Sequence, residues 1–415
     1  MKLTVQSAIA VSIIDGAKPQ IKTAEGVNFG FFYFSLVRQG ANFVLHAFTL
    51  QPDHQAYIHF VLDPMNVEVD ASDELLGQIF RADFPRLRKI LRAAGTNDVS
   101  IEIHPFTPDR AIFRVIPKRK EDDATKPETT DPTKKKSPTK AQTTSELTLT
   151  LPLALEPGSI VIPDVGVSNI LAPCTLARSL RTAHNAIRTA GRDYRSSNAA
   201  HLAVGRESVT AEALTSNLLV SSEWGKEAVQ EGCAEPFHVR ISPNSVRRIY
   251  EVGLREGTET PIRYDADTET LTISIGVYTY VVKAEAVGEE VCKPIFNQTS
   301  SADSTVFLDR KQLLAIFQKF RSLGCGTVGI DFAPGGQVEL TDINGTFSAR
   351  LNGLQHLFAE PRVNRSFEVS VGSVLAFLPL MTSDDIAFTF GLEDAPIKVF
   401  GTAPDDTIHA VLKTL

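Results

Sequence analysis

One order of secondary-structure signals occurs three times along the chain, and this repetition restricts the fold more than any other feature. The three segments are IFRADFPRLRKILRAAGTNDVSIEI from Ile79, VRISPNSVRRIYEVGLREGTETPIRYD from Val239 and FEVSVGSVLAFLPLMTSDDIAFTF from Phe367. Each predicts a short strand, a helix of about three turns, a polar turn and an alternating strand. Two more strands joined by a turn are predicted after each copy. The pattern therefore predicts three similar units in one chain.

A second helix with short strands is predicted before each of these segments. The three helices lie in MKLTVQSAIAVSIIDGAKPQ, LARSLRTAHNAIRTAGRDYR and TVFLDRKQLLAIFQKFRSLG. Helix starts and ends within the repeated segments are predicted at Asp83 with Pro85, Ser242 with Pro243, Gly372-Ser373, Gly95 and Gly257. Strands outnumber helices and do not alternate with them. The sequence thus predicts an α+β fold with antiparallel sheets, and not a doubly wound parallel sheet.

The segment from Lys118 to Glu146 differs in composition from the rest of the chain, since Ala is its only apolar residue type. It cannot bury enough apolar surface to offset the entropy of ordering, so we predict that it is disordered. The predicted hairpin strands AIFRVI and ELTLTLPLAL lie on its two sides, which makes it a long loop inside a domain. The predicted domains are therefore residues 1–157, 158–300 and 301–415, with the loop 118–146 in the first.

The bulk composition is typical of a soluble globular protein, with 43% hydrophobic residues and a formal net charge of -7. No apolar run reaches the roughly 18 to 20 residues of a membrane helix, and the N-terminal segment is predicted to be the first strand and helix and not a signal peptide. We therefore expect a cytoplasmic protein. The cysteines Cys174, Cys233, Cys292 and Cys325 are too far apart for a local metal site and are predicted to be reduced, mostly buried thiols.

The helix in LARSLRTAHNAIRTAGRDYR has an unusual charge pattern, because no acidic residue occurs between Pro173 and Arg192. Its predicted core stripe is Leu176, Leu180, Ala183 and Ile187, and a second stripe consists of Arg178, Arg181, Arg188 and Arg192. Thr182, His184, Asn185 and Thr189 complete the predicted polar side. Surface helices usually mix acids with bases, because ion pairs four residues apart stabilise them. Two interpretations follow: a solvated face paired with acids from elsewhere in the fold, or a surface that contacts a polyanion.

Other predicted helices show the same bias more weakly. The helix after Pro85 is basic, the helix around Val246 balances its arginines with Glu251 and Glu256, and the helix around Val374 has no basic residue. Positive helices on a net-negative chain indicate that charge is segregated by surface. Contacts of this kind with phosphates do not read nucleotide sequence and weaken steeply with salt.

Motifs of enzymatic chemistry are missing from the sequence. It has no GxxxxGK phosphate loop, no GxGxxG after a strand and no nucleophile elbow. His54 and His59 are five residues apart on a predicted strand, which places them on opposite faces and argues against a metal pair. We therefore predict that the protein is not an enzyme and has no metal or other cofactor.

The repeated pattern resembles that of the DNA sliding clamps, and in particular the three-domain β-type clamp of bacterial replicative polymerases. The resemblance is clearest from Leu171 to Leu415, where FEVSVGSVLAFLPLMTSDDIAFTF, APIKVF and TIHAVLKTL are similar to a clamp's final half-domain. It implies the DNA clamp fold, a head-to-tail homodimer closed into a ring, and twelve helices around a central hole. It also implies double-stranded DNA, a DNA polymerase and a clamp loader as partners, with processivity as the function.

The resemblance also implies which residues contact DNA and protein partners. By helix position the DNA contacts are Arg178, Arg181, Arg188, Arg192, Arg88, Arg92, Arg248 and Lys319. The protein-partner pocket is implied at Leu218, Leu219, Val411 and Leu412. This chain departs from the family there, because its C-terminus HAVLKTL lacks the Met-Pro-Met ending and TSNLL stands in place of Thr-Asp-Gly-His-Arg-Leu. The departures favour a different partner motif, and a distant or phage-encoded lineage.

Two alternative functions stay open at the level of sequence. One is a ring of the same fold that acts as a scaffold or checkpoint-like assembly with other chains. The other is an unrelated β-rich enzyme whose site residues the sequence does not reveal.

Overall fold

The computed structural model describes residues 1–18, 30–63, 67–70, 73–116, 147–189, 199–232, 235–288, 304–333, 337–353, 355–358, 365–391 and 396–413. The chain divides into two compact units. Unit 1 consists of Met1–Pro163 with Val277–Thr279, and unit 2 consists of Asp164–Gly276 with Tyr280–Leu415. The first boundary lies close to the predicted end of the first domain. The division of the remainder into two domains stays a prediction.

The described residues among the first 163 contain two helices and nine strands. The helices are α1 (Ser7–Gly16) and α2 (Phe84–Ala93). The strands are β1 (Lys2–Gln6), β2 (Phe31–Gln39), β3 (Asn42–Leu50), β4 (His54–Leu62), β5 (Val67–Asp70), β6 (Ile79–Asp83), β7 (Asp98–His104), β8 (Thr107–Ile116) and β9 (Leu147–Glu156).

Two antiparallel sheets of unit 1 share strand β9. One has the order β5–β1–β7–β8–β9 and the other the order β4–β3–β2–β6–β9. Residues Leu147–Pro152 of β9 pair with β8, and Leu153–Glu156 pair with β6. Val115 lies opposite Leu147, so the chain leaves and re-enters one hairpin around residues 117–146. The two strands predicted on either side of the insert therefore pair with each other, and the predicted disorder of the insert concerns residues outside the described ones.

The rest of the chain contains four helices and eighteen strands among the described residues. The helices are α3 (Thr175–Thr189), α4 (Pro243–Glu256), α5 (Arg310–Ser322) and α6 (Val371–Phe377). The strands are β10 (Asn169–Leu171), β11 (Ala200–Val204), β12 (Val209–Leu214), β13 (Leu218–Trp224), β14 (Val229–Gly232), β15 (Phe237–Ile241), β16 (Thr260–Asp265), β17 (Thr270–Ile275), β18 (Tyr278–Ala286), β19 (Ser304–Asp309), β20 (Thr327–Phe332), β21 (Gln337–Asp342), β22 (Ser348–Asn352), β23 (Gln355–Phe358), β24 (Arg365–Ser370), β25 (Asp385–Phe390), β26 (Ile397–Gly401) and β27 (Ile408–Leu412).

A long antiparallel sheet runs through unit 2. Its first part is β18–β15–β11–β12–β13 and its second part is β27–β26–β25–β19–β23, and the pairing of β13 with β27 joins them. Two smaller sheets have the orders β14–β10–β16–β17 and β22–β21–β20–β24. The predicted α+β class with antiparallel sheets is therefore confirmed.

The helices of unit 2 lie in a row, in the order α4–α3–α6–α5, and α3 also packs on β12 and β13. Gly253 allows α3 and α4 to approach closely, since a Cβ atom at this position would lie 2.8 Å from the Ala177 Cβ. On the other side of α3, Gly372 of α6 lies against Thr189. Helix α3 is thus enclosed by two helices and a sheet.

Most of the predicted helix boundaries are confirmed by their hydrogen bonds. The Asp83 and Ser242 side chains accept from the backbone N–H groups of Arg86 and Ser245, and Gly257 ends α4 in the left-handed conformation. The predicted start of α6 at Gly372-Ser373 is wrong. Ser370 is the N-cap and accepts from the Ser373 N–H at 3.4 Å.

Helix α6 is also shorter than the three turns that the repeat predicts. It ends at Phe377 and continues only as a 3-10 turn from Leu378 to Leu380. Pro379 lies in that turn and has no N–H to donate to a preceding turn, which accounts for the early end.

Candidate nucleic-acid interface

Helix α3 is buried on most of its circumference. The predicted core stripe is confirmed, because Leu176, Leu180, Ala183 and Ile187 are all buried. Ser179 and Thr182 are buried as well, and their hydroxyls donate to the carbonyls of Thr175 and Arg178 one turn earlier. The polar side of α3 is therefore narrower than the sequence predicts, because α4 and α6 cover its flanks.

The side that remains open carries three arginines, which we call the arginine strip: Arg178, Arg181 and Arg188. All three side chains are exposed, and half-buried Asn185 lies between them. At about 100° of rotation per residue, the three arginines fall within a sector of roughly 80° around the helix axis. They extend for about 15 Å along that axis. The fourth predicted member, Arg192, lies outside the described residues.

Within the described part of the chain, no residue of the arginine strip forms an ion pair, although most other helix arginines do. Helix α3 has no acidic residue in its first turn, and Arg188 lies in its last turn. Three unneutralised guanidinium groups on one narrow face attract a polyanion without preference for sequence.

Two further predicted DNA contacts, Arg88 and Arg92 of α2, are held by Asp15 of α1. Arg88 makes two hydrogen bonds to the Asp15 carboxylate, and Arg92 Nη2 lies 3.1 Å from Asp15 Oδ2. Burial raises the pKa of Asp15, but the hydrogen bonds and positive charges of Arg88 and Arg92 outweigh it, so the pKa is lowered. These arginines join two helices of unit 1, and one carboxylate offsets part of their charge.

Helix α4 neutralises its own arginines. Glu251 accepts from Arg247 at 2.8 Å and lies 3.5 Å from Arg248, the residue predicted to contact DNA. Arg255 is paired with Glu256 at 2.9 Å. Lys319 of α5 is exposed and forms no ion pair with any described residue, so it is more available to a phosphate than Arg248.

His184 lies between the two arginine-bearing helices. Its ring packs at 5.1 Å from the ring of Tyr250 on α4, and its Nδ1 is buried without a hydrogen-bond partner among the described residues. Burial, together with the positive charges of Arg247 and Arg188, lowers the pKa of His184 to about 4. The histidine is therefore neutral at pH 7 and adds no charge to the helix surface.

One contact of the arginine strip has no signal in the sequence. The Arg178 guanidinium lies over the ring of Trp224, 6.0 Å from its centroid. Trp224 ends β13, and its Nε1 donates to the Ser222 hydroxyl at 3.1 Å. Only the packing of α3 on that strand brings Trp224 to Arg178.

The four residues predicted to bind protein partners lie together where β13 pairs with β27. Leu218 is opposite Leu412, and Leu219 is opposite Val411. Their exposed fractions are between 0 and 4%, and since side chains alternate along a strand, the Leu218–Leu412 and Leu219–Val411 pairs are buried on opposite faces of the sheet. The structure therefore brings the four residues together as a closed seam and not as an open pocket, and their role stays a prediction.

The other candidate sites are clusters of titratable side chains and free cysteines. Among the described residues, no three His, Cys, Asp or Glu side chains are placed to hold a metal ion. His59 does meet another histidine, since its Nδ1 lies 3.1 Å from His46 Nε2 on the neighbouring strand. Cys174 and Cys325 are free and half-buried, and Cys233 and Cys292 lie outside the described residues. None of the described helices is long and apolar enough to cross a membrane.

Comparison with known proteins finds similar structures but no similar sequence. No protein-family model and no curated protein sequence matches the chain. Among solved structures, the DNA polymerase III beta chain of Streptococcus pneumoniae has a TM-score of 0.73 at 10% identity, and 100% of this chain and 99% of that chain are covered. The beta subunit of Pseudomonas aeruginosa has a TM-score of 0.72 at 13% identity, with 100% of both chains covered. The DNA polymerase sliding clamp of Bacillus subtilis has a TM-score of 0.74 at 11% identity, with 100% and 99% covered.

These likenesses extend over the whole chain and define a class of fold. The protein has the fold of the bacterial β-type DNA sliding clamps, as the repeated sequence pattern predicted. Its sequence is divergent from theirs, at 10 to 13% identity in these three cases.

Proposed function

We propose that the protein is a non-catalytic sliding clamp that encircles duplex DNA and tethers a DNA polymerase, which makes synthesis processive. The observation that carries this proposal is the arginine strip of α3 on a clamp fold, with three exposed arginines and no ion pair among the described residues. A surface of this kind holds phosphates without reading bases, and it lets a protein slide along the duplex.

The ring in this proposal is a head-to-tail homodimer of chains with three repeats each, opened by a clamp loader in the cytoplasm. A heterologous contact closes into a ring when two different edges of the chain meet. Each of the two units offers such an edge among the described strands. Residues Leu147–Pro152 of β9 pair only with β8, and β22 pairs only with β21. A free strand edge is a surface on which a second sheet can continue.

The polymerase contact belongs to the seam of β13 and β27 in this proposal. Since Leu218, Leu219, Val411 and Leu412 are buried, an incoming segment reaches them only if the pairing between β13 and β27 opens. Strand β27 pairs with β13 on one side and with β26 on the other, so its pairing with β13 can open only if β27 stays attached to β26.

Primer extension on circular DNA, with the cognate polymerase and loader, tests the function directly. Addition of the protein should lengthen the products made in a single binding event of the polymerase. Products of unchanged length would contradict the tethering role. The native mass tests the ring separately: twice the 45.3 kDa of one chain is expected, and a monomer at all concentrations would exclude the homodimer.

A further inference from the structure

The contact between Arg178 and Trp224 differs from every other described contact of a helix arginine with a partner side chain. Arg88, Arg92, Arg247, Arg248 and Arg255 all face carboxylates. Arg178 instead faces an aromatic ring at 6.0 Å, and that ring belongs to the only tryptophan of the 415-residue chain. The Trp224 N–H already has a partner in Ser222, so the ring position is fixed by its own strand.

A carboxylate and an aromatic ring have different effects on an arginine. A carboxylate neutralises the guanidinium charge and occupies its N–H donors. The face of a tryptophan ring attracts the cation through its quadrupole and contributes no net charge. Arg178 can therefore be held in place while it keeps its full positive charge for a phosphate.

The position of Arg178 on the helix explains why it benefits from such a partner. It is the fourth residue of α3, near the N-terminus, where the positive end of the helix dipole disfavours a cation. Arg188 lies in the last turn, where the dipole favours positive charge. An acid beside Arg178 would relieve the repulsion but would also cancel the charge that DNA requires.

We propose that Trp224 is a positioning residue for DNA binding, which holds the Arg178 guanidinium ready for a phosphate without neutralising it. This role rests on the proposed function of the arginine strip. Ordering a long side chain before binding lowers the entropy that association costs. Loss of the ring should therefore weaken binding without changing how many phosphates the protein contacts.

A double-mutant cycle of Trp224→Leu and Arg178→Gln tests this role, with anisotropy of a labelled duplex measured between about 50 and 200 mM salt. Trp224→Leu should weaken binding about two- to fivefold and leave the salt dependence unchanged. Arg178→Gln should reduce the slope of log K against log salt by about one. Trp224→Leu should have no further effect in the Arg178→Gln background, and Trp224→Phe should bind nearly as wild type does.

The outcomes of the cycle separate this role from the proposed function. Equal losses from Trp224→Leu with and without Arg178 would overturn the positioning role and indicate direct contact of the ring with DNA. Wild-type affinity of Trp224→Leu would overturn it too. Failure of the wild-type dimer to bind any duplex would overturn the proposed function, and this role with it.

Trp224 fluorescence gives a readout that requires no DNA, because no other tryptophan contributes to it. Arg178→Gln should change the emission of Trp224, while Arg181→Gln, the matched change one turn along the strip, should leave it unaltered. Identical spectra for wild type and Arg178→Gln would show that the two side chains do not meet in solution. Thermal unfolding of Trp224→Leu serves as the control for folding.

Discussion

Helices α3 and α4 are neighbours in one unit, and both carry three described arginines, yet the two helices present opposite electrostatic surfaces. On α3 the arginines are exposed, and no described carboxylate lies within ion-pair distance of them. On α4 each arginine is paired with a glutamate of the same helix, Glu251 or Glu256. The pairs of Glu251 with Arg247 and Arg248 have the i,i+4 and i,i+3 spacings that stabilise a helix. Helix α3 forgoes that stabilisation and is suited to an external anion.

The comparison shows that the number of arginines on a helix is a poor guide to a phosphate surface. Helix α2 makes the same point through tertiary structure, because its Arg88 and Arg92 meet Asp15 of α1. Available charge depends on the carboxylates that each guanidinium reaches in the folded chain. By this criterion Arg178, Arg181, Arg188 and Lys319 are the strongest candidates among the described residues that were predicted to contact DNA.

Charge reversal on α3 should have the largest effect on duplex binding, because it removes the positive surface that distinguishes α3 from α4. The triple variant Arg178→Glu, Arg181→Glu and Arg188→Glu should weaken duplex binding at low salt by about a hundredfold or more. The slope of log K against log salt should decrease in magnitude by about three, because about three phosphate contacts are lost. Anisotropy of a labelled duplex across a salt series measures both quantities.

The matched control is Arg240→Glu, Arg263→Glu and Arg350→Glu, three exposed arginines on strands of the same unit. Both triple variants change the net charge equally, but Arg240 and Arg350 of the control have carboxylate partners, Glu285 and Glu339, which the α3 arginines lack among the described residues. Similar losses in both variants would contradict a specific role for α3 and would favour a general effect of protein charge.

The sequence predicts those features of the site that depend on local signals. The stripe of Leu176, Leu180, Ala183 and Ile187 follows from helical periodicity, and the caps at Asp83 and Ser242 follow from side chains next to their targets. The hairpin around residues 117–146 could also be located, because both of its strands alternate.

Features that depend on long-range packing could not be predicted in this way. Asp15 is 73 residues before Arg88, and nothing local indicates their pairing. The burial of Thr182 follows from the position of α3 between α4 and α6, and the burial of Leu218 and Val411 from the pairing of β13 with β27. Trp224 reaches Arg178 only through the packing of α3 on β13. The sequence thus indicates which charged side chains each helix carries, and the tertiary contacts decide which of those charges are neutralised.

The pH dependence of folding stability tests whether His184 is buried between α3 and α4. Its pKa is lowered to about 4 from the usual 6.5, so the unfolded chain binds a proton more readily than the folded one between these values. The contribution to stability is therefore complete above pH 6.5 and is lost as the pH falls toward 4. Because the ring is partly exposed, we expect a loss of about 1 kcal/mol between pH 7 and 5.

The variant His184→Phe keeps a ring against Tyr250 and cannot titrate. Its free energy of unfolding should fall by about 1 kcal/mol less than that of wild type between pH 7 and 5, as measured by urea denaturation. His409→Gln, which changes an exposed histidine on β27, is the control and should follow wild type. Parallel pH profiles for wild type and His184→Phe would show that the gap between α3 and α4 is open to water.

The smallest expected effect comes from making α4 resemble α3. Glu251→Gln removes the carboxylate that engages Arg247 and Arg248, at a stability cost below about 1 kcal/mol for surface pairs of this kind. If the freed arginines join the arginine strip, duplex binding at low salt should strengthen about two- to threefold and become more salt-dependent. Glu285→Gln makes the same change of charge beside Arg240, on strands β15 and β18, and should have a weaker effect. Equal affinities for Glu251→Gln, Glu285→Gln and wild type would show that α4 does not approach the duplex, which would leave α3 as the phosphate-binding helix of this pair.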